Sequence, residues 1–477
     1  MRPRTLLVLL IVVLALGSFI WFYERNLPSS EERAELAKKV LALEKDDVEA
    51  VTIESAKSGT VRLERVPKAK PAKKDKGEEA AEPAAEWRMT RPLAAKADAF
   101  AVDRLLDEVK DLEKTRTLED VNRKDVGLDK PRATLRLSTK DGEKVLTFGA
   151  EVPPGSDLVA SLKGETGAYV VSDAILTDLQ KEPGDWRDKL MFRGDRDAID
   201  RLTLTSGTAG PVVLAKRPDG FWIEKPIADR ADRDLVDGLL SDLTGLTAEH
   251  FLAGSRPLAE LGLAPPRETV AVAFQGATPP VRVELGAPVT GEAAPQGQTS
   301  GELTYARIGP TTFEVRTRLA ESARRAPADW RALQLSAFAV HEIESATARD
   351  DQPPVQLTRS GTDWKRGSTL ISYLPVSDLL FAVTGAKASR LLTPQETQSM
   401  QADLAKPLLT FTLRTQDAGD ETLTLYPAVK DGVPARASGR DVVMLLPAET
   451  LREIQEKLAG VRKAKPEKPI APEKPAK

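Results

Sequence analysis

Cysteine is absent from all 477 residues, and histidine occurs only at His250 and His341. The first absence excludes disulfides, thiolate metal sites, cysteine nucleophiles and a lipobox-type lipid anchor. The second leaves no pair of imidazoles at ligand spacing, so each histidine reads as a structural or surface side chain. Aromatic residues make up 5% of the chain, which argues against a broad carbohydrate-stacking platform. Charge of either sign is not in excess: 69 Lys and Arg stand against 72 Asp and Glu, a net charge of −3 that provides no large basic field for nucleic acid. A Gly-rich Lys-Ser/Thr phosphate loop, a Gly-x-Ser-x-Gly elbow and a His-Glu-x-x-His helix are also missing. Asp229, Asp232 and Asp234 approach a calcium-loop spacing, yet no glycine turn or distal glutamate follows them. The sequence therefore predicts no metal, no cofactor and no catalytic residue. Its many carboxylates still leave open a pair working as acid and base.

What is present begins at the N-terminus. Thr5 to Tyr23 is a run of nineteen residues without a charge, close to the ~20 needed to cross the hydrocarbon of a bilayer. Arg2 and Arg4 precede it and residues of both signs follow, an asymmetry that keeps the N-terminus cytoplasmic. The expectation is a single-pass protein of the bacterial cytoplasmic (inner) membrane, residues 1–27 holding tip and anchor and the bulk lying in the periplasm or otherwise outside the cytoplasm. A cleaved signal peptide, with small residues at Ala15-Leu16-Gly17, is the alternative and exports the body equally. Ser29 and Glu32 have capping-box spacing, so residues 28–47 read as a short juxtamembrane helix or spacer.

The exported part repeats. Trp87 and Trp222 stand 135 residues apart, and so do VGLDKPRATLRL (126–137) and LGLAPPRETVAV (261–272). Between them DAFAVDRLLDEVKDL (98–112) and DRDLVDGLLSDLTGL (232–246) share one apolar helical face, with Asp98 and Asp232 at the N-cap. A divergent third copy places Trp364 43 residues before Pro407, with SDLLFAV (377–383) as a shortened helix. In each copy a β-hairpin precedes the tryptophan strand, the helix follows, and further strands and a closing helix end the unit. Strands that follow strands through short turns make this α+β with antiparallel sheets. The predicted fold is an N-terminal transmembrane helix and three tandem sheet-plus-helix modules, at 48–195, 196–336 and 337–460. Trp87, Trp222 and Trp364 read as core anchors of the repeat. Pro92 and Pro226 end the strand by denying it a donor, and Pro131, Pro266 and Pro407 mark the turn after the helix.

This layout, Trp87 and Pro92 followed by Gly127-Leu128-Asp129-Lys130-Pro131, then Trp222 and Pro226 followed by Gly262-Leu263-Ala264-Pro265-Pro266, resembles the family of unknown function DUF4340. The resemblance covers most of residues 48–335 and extends weakly to about 458; Ala402 to Pro407 lacks the Gly-Leu pair. Similar genes often lie beside those of gliding-motility-type ABC transporters, so the resemblance implies an accessory role at a transport or envelope complex.

Two segments break the repeat. Residues 67–86 are Lys, Glu, Ala and Pro without a core former, which reads as a disordered insertion. Residues 461–477 carry Pro466, Pro469, Pro472 and Pro475 at three-residue spacing and read as a basic polyproline II tail, a spacer or a tether to anionic cell-wall polymer or lipid headgroups. Asp185-Trp186-Arg187 and Asp329-Trp330-Arg331 close the first two copies, while the third has no such triplet. Either Trp186 and Trp330 pack into joints between modules, with Arg187 and Arg331 bonding across them, or each indole completes its own core. The leading functional expectation is a noncatalytic membrane-anchored scaffold or accessory subunit with envelope protein partners. A cell-wall polysaccharide or peptidoglycan binding module and a carboxylate-dependent hydrolase are the alternatives.

Overall fold

The computed structural model describes residues 35–466, apart from 36, 67–85, 120, 154, 209, 253–255, 277–278 and 291–302. The expected membrane segment, nearly all of the insertion and the tail beyond Pro466 lie outside the described residues. Among the described residues no helix is long and apolar enough to cross a membrane. The chain forms two compact units, one ending at Lys189 and one starting at Leu190. The first holds one sheet and the second holds two, and all three sheets have nine antiparallel strands in the same order.

In the first unit the strands are β1 (Val48–Ser55), β2 (Gly59–Arg65), β3 (Trp87–Arg91), β4 (Ala95–Lys96), β5 (Arg116–Leu118), β6 (Ala133–Thr139), β7 (Gly142–Glu151), β8 (Leu158–Leu162) and β9 (Ala168–Val171). They are arranged β4-β3-β2-β1-β6-β7-β8-β9-β5, so consecutive strands β4 and β5 form opposite edges. The helix Ala99–Asp111 carries the chain between those edges. The Asp98 carboxylate caps it by accepting from the amides of Phe100 and Ala101, and Val102, Leu105, Leu106 and Val109 face the sheet. Burying each of these side chains stabilises the module by about 1.5–3 kcal/mol. Asp232 caps Arg233–Thr244 in the second module by accepting from Leu235, with Val236, Leu239, Leu240 and Leu243 buried. The third helix, Tyr373–Thr384, is as long as the second rather than shortened. Pro375 lies in its first turn, where the amide has no intrahelical partner to lose.

Of the expected helix at 28–47, residues 28–34 and 36 lie outside the described residues; Glu35, Ala37 and Lys38 are helical, and from Lys39 the chain leaves the helix and runs along the core. Lys39 bridges Glu113, the Val40 amide donates to the Leu112 carbonyl, and Val40, Leu41 and Leu43 are buried in the first core. Three apolar residues within four positions suit a chain that lies along a core, so the module starts well before Val48. Comparable incoming runs open the other modules: Leu190 and Met191 pair with Thr247 and Leu246, and Gln334 and Leu335 pair with Lys387 and Ala386.

The Gly-Leu-x-x-Pro turn has a packing explanation. Gly127 (φ 73°) lets the loop fold over β7, where the Ala150 amide donates to the Val126 carbonyl at 2.9 Å. A methyl group on Gly149 would collide with that carbonyl. Gly262 and Gly286 repeat the arrangement in the second module, with Ala287 donating to Leu261 at 2.8 Å. Leu128 and Leu263 fill small clusters beneath these loops. Pro131 and Pro266 are half-buried, while Pro92, Pro226 and Pro407 are exposed, so these prolines punctuate strands and stand outside the cores. The third module replaces the glycine loop with the helix Pro394–Ser399, capped by Thr393 and Glu396, and with Met400 and Leu404 packed on Leu392, Val443 and Leu445.

Candidate functional site

Strand pairing separates two tryptophans that the sequence treats alike. Leu63 faces Met89 and Arg65 faces Trp87 across β2–β3; Leu214 faces Ile223 and Lys216 faces Phe221 across the matching pair of the second module. Trp87 therefore corresponds to Phe221, and Trp222 is one residue out of step. Because strand side chains alternate, that single step turns Trp222 to the other face of the sheet. Trp87 and Trp364 belong to their module cores; the second core contains Ile223 and is lined by Phe221, without Trp222. Trp222 instead donates its indole N–H to Asp219 at 2.9 Å, lies under the Arg217 guanidinium at 4.5 Å, and meets the third module at the Gly439 turn.

Trp222 thus marks the joint between the second and third modules, whose centre is ionic. Arg440 donates to both carboxylate oxygens of Asp229, at 2.7 and 3.0 Å, and Arg331 donates to the same group at 2.7 Å. Beside them Arg230 donates to Glu421 at 2.7 Å, and Glu421 also accepts from the Ser336 hydroxyl at 2.6 Å and from the Ala337 amide at 3.0 Å. The side chains of Asp229 and Arg440 are 1% and 0% exposed. Three guanidinium groups face two carboxylates, and the surplus positive charge is met by the carbonyls of Ala332, Gln334 and Leu335. Burial raises the Asp229 carboxyl, but the bonds and charges of Arg440 and Arg331 outweigh it and hold the group below its ordinary value. Burial pushes the Arg230 guanidinium below its ordinary value, with Glu421 opposing the shift.

The backbone completes the joint. The Asp232 amide donates to the Trp330 carbonyl at 2.7 Å, Ala332 to Arg230 at 2.9 Å, and Leu335 to Ala386 at 2.8 Å. One strap, Arg331 to Leu335, is therefore shared by both modules. In the first unit Asp98 donates to Trp186 at 2.9 Å and Asp188 to Lys96 at 2.9 Å. The indoles themselves complete their own cores: Trp186 lies in the first and Trp330 in the second, both 0% exposed. Lys181 and Arg325 stand over their rings at 5.1 and 5.6 Å. Arg187 is half-buried beside Trp186, and burial lowers its pKa. Arg331 bonds a carboxylate of its own module, and Arg440, a residue the sequence reading did not single out, reaches it from the next.

A cleft of about 890 Å³ opens above this network, lined by both modules. Phe221, Leu240, Ala337 and Ala418 supply its apolar surface, and Arg233 reaches Glu342 across it at 3.8 Å. His341 lines the cleft, and its carbonyl accepts from Arg359. His250 lies on an edge strand, paired with Glu314 at 3.2 Å. Asp232 caps its helix, Asp229 is consumed by arginines and Asp234 borders the cleft. Among the described residues no three His, Asp or Glu side chains are grouped to hold a metal ion. The first unit has an acidic contact of its own, where Asp178 is bound by Arg104 and Lys181 beside Glu108. Burial, then the charge of Asp178, raises the Glu108 carboxyl.

Fold and joint together define a tandem-repeat α+β protein in which two successive modules share one interface. The family described as Domain of unknown function (DUF4340) matches residues 87–266 and again 222–407, and the chain belongs to this family. Each match starts at a tryptophan of one copy and ends at a proline of the next, at Trp87 and Pro266 and at Trp222 and Pro407. No curated protein and no solved structure matches the chain.

Proposed function

We propose that the protein is a noncatalytic, membrane-anchored scaffold or accessory subunit of a bacterial envelope complex, with its modules outside the cytoplasm. The observation that carries this reading is the Asp229–Arg331–Arg440 and Arg230–Glu421 network. Its charged groups, all buried except the half-buried Arg331, are bonded to one another and committed to fixing two modules together. A geometry that invests its buried charge in holding a shape suits a protein that presents surfaces at a set spacing. The uncharged run Thr5–Tyr23 supports the anchor, and the gene neighbourhood typical of the family supports a gliding-motility-type ABC transporter as the complex to examine first. Crosslinking in intact cells, followed by identification of the partners from the membrane fraction, tests the reading. Specific recovery of transporter or other envelope subunits is expected; a chain that fractionates without the membrane and captures no specific subunit refutes it. A binding module for cell-wall polysaccharide or peptidoglycan is the second reading, favoured by the open cleft and tested by sedimentation with isolated cell wall.

A further inference from the structure

Three described segments pair with the sheet edge that leads into a core helix, and the third does so through a proline. In the first unit Arg187 bridges Ala97 and the Asp188 amide donates to the Lys96 carbonyl at 2.9 Å; in the second module Arg331 bridges Ala231 and the Ala332 amide donates to the Arg230 carbonyl at 2.9 Å. In the third module Pro466 bridges Ile371, the last residue of the edge strand Thr369–Ile371. Proline has no amide, so this pairing cannot run through Pro466 itself and has to be carried by its neighbours. The Arg331 pairing shows how. The bridging residue gives it no donor, and the bonds run from the Asp232 amide to the Trp330 carbonyl, at 2.7 Å, and from the Ala332 amide to the Arg230 carbonyl. Leu370 holds the place of Lys96 and Arg230, one residue before the bridged position. Among the described residues its carbonyl accepts no hydrogen bond from outside its own sheet.

We propose that the strand Thr369–Ile371 is a docking edge for this chain's own tail: Glu467 and Lys468 pair antiparallel with Leu370 and Thr369, and the Glu467 amide donates to the Leu370 carbonyl. Both tail residues lie outside the described residues, but the point from which they depart is fixed. Arg366 donates to the carbonyls of Val461, at 2.6 Å, Arg462, at 2.5 Å, and Ala464, at 3.3 Å, at the end of the helix that delivers Pro466 to the edge. Covalent attachment to the seated Pro466 favours Glu467 over any strand arriving from solution. Pro469 ends the pairing, since it brings no donor. While the tail is seated, the edge is closed to strand addition by another chain. The spacer or tether then starts at Pro469 and not at Val461. The proposal goes beyond the scaffold reading and does not rest on it, since edge and tail meet whether or not the chain is anchored.

The test uses the full chain and an internal control. PEKP occurs twice in the tail, at 466–469 and at 472–475, so the same four residues stand once at the edge and once beyond it. Amide hydrogen exchange, resolved to single residues, should show Glu467 slower than Glu473 by about fivefold or more, the size of one net hydrogen bond. A second readout uses the absence of cysteine. Under mild oxidation Leu370→Cys/Glu467→Cys should close an intramolecular disulfide ahead of Leu370→Cys/Glu473→Cys, because only a seated tail holds position 467 beside position 370. Unchanged unfolding midpoints of the reduced variants certify that both fold. Exchange at Glu467 as fast as at Glu473, or closure no faster at position 467 than at 473, overturns the proposal. Either failure leaves the crosslinking test of the scaffold reading intact.

Discussion

Replacing Arg440 with methionine tests whether the joint is held by its buried charges. Arg440 gives two bonds to Asp229 and, to the shared strap, one at 2.8 Å to the Ala332 carbonyl and one at 3.4 Å to the Gln334 carbonyl. Methionine keeps most of the volume and removes all four. Breaking a buried pair on one side costs about 3–5 kcal/mol, chiefly because the remaining charge is left uncompensated. Asp229 would keep Arg331 at 2.7 Å and the Arg230 amide at 2.8 Å, so the lower end applies, about 3 kcal/mol or a factor of roughly 150 in the folding equilibrium. Urea unfolding of the full chain, followed by tryptophan emission and by proteolysis within Arg331–Leu335, should show an earlier transition. Adding Asp229→Asn should restore part of the loss, because the unpaired charge is then gone. The pH dependence has a defined sign. The Asp229 carboxyl is held below its ordinary value near 3.8, so its contribution is complete above that pH and is lost as pH falls through the depressed folded value. Arg440→Met lessens the depression, so acid unfolding of the second unit should begin at a higher pH. A loss below about 1 kcal/mol, typical of solvated ion pairs, would refute the reasoning.

Gly149→Ala and Gly286→Ala each place a methyl group against a carbonyl that already accepts a hydrogen bond, and each should cost about 1–3 kcal/mol, read as a lower thermal midpoint. Gly439→Val should loosen the joint, because the residue adopts φ 78°, a conformation that a β-branched side chain strains, beside Trp222; a shift in indole emission together with an earlier urea transition checks it. Glu108→Gln should stabilise the first unit at pH 7.5 and have no effect well below pH 4, as compared by thermal unfolding at the two pH values. The raised carboxyl binds its proton more tightly in the folded state, so the wild type loses stability as pH climbs from the ordinary value toward the raised one.

The helices were legible because Val102, Leu105, Leu106 and Val109, and their counterparts in the second module, keep a 3.6-residue period behind an aspartate cap. The repeat was legible for the same reason, and so was its antiparallel character. The tryptophan register was not: matching Trp87 to Trp222 by residue type hides a one-residue step, and in a strand that step decides which face a side chain takes. The short edge strands, such as Arg116–Leu118 and His250–Phe251, are two or three residues long and carry no period to detect. The paired glycines could have been found, since Gly149-Ala150 and Gly286-Ala287 each follow a Gly-Leu turn at nearly the same distance, 22 residues after Gly127 and 24 after Gly262. The ionic joint could not. Asp229 and Arg440 are 211 residues apart, and only the folded third module brings them together.

The strap Arg331–Leu335 also limits how such a chain can change length. Both modules read its hydrogen-bonding register at once, so adding or deleting one residue there would put one of them out of step. Hairpin turns carry no such double duty. Residues 66–86 separate the second and third strands of the first module, whereas the corresponding strands of the second and third modules are joined through Pro218-Asp219 and Gly361-Thr362. Recombination that copies or swaps modules should therefore break within hairpins and spare the boundaries. The unit that can be exchanged intact would run from the middle of one module to the middle of the next.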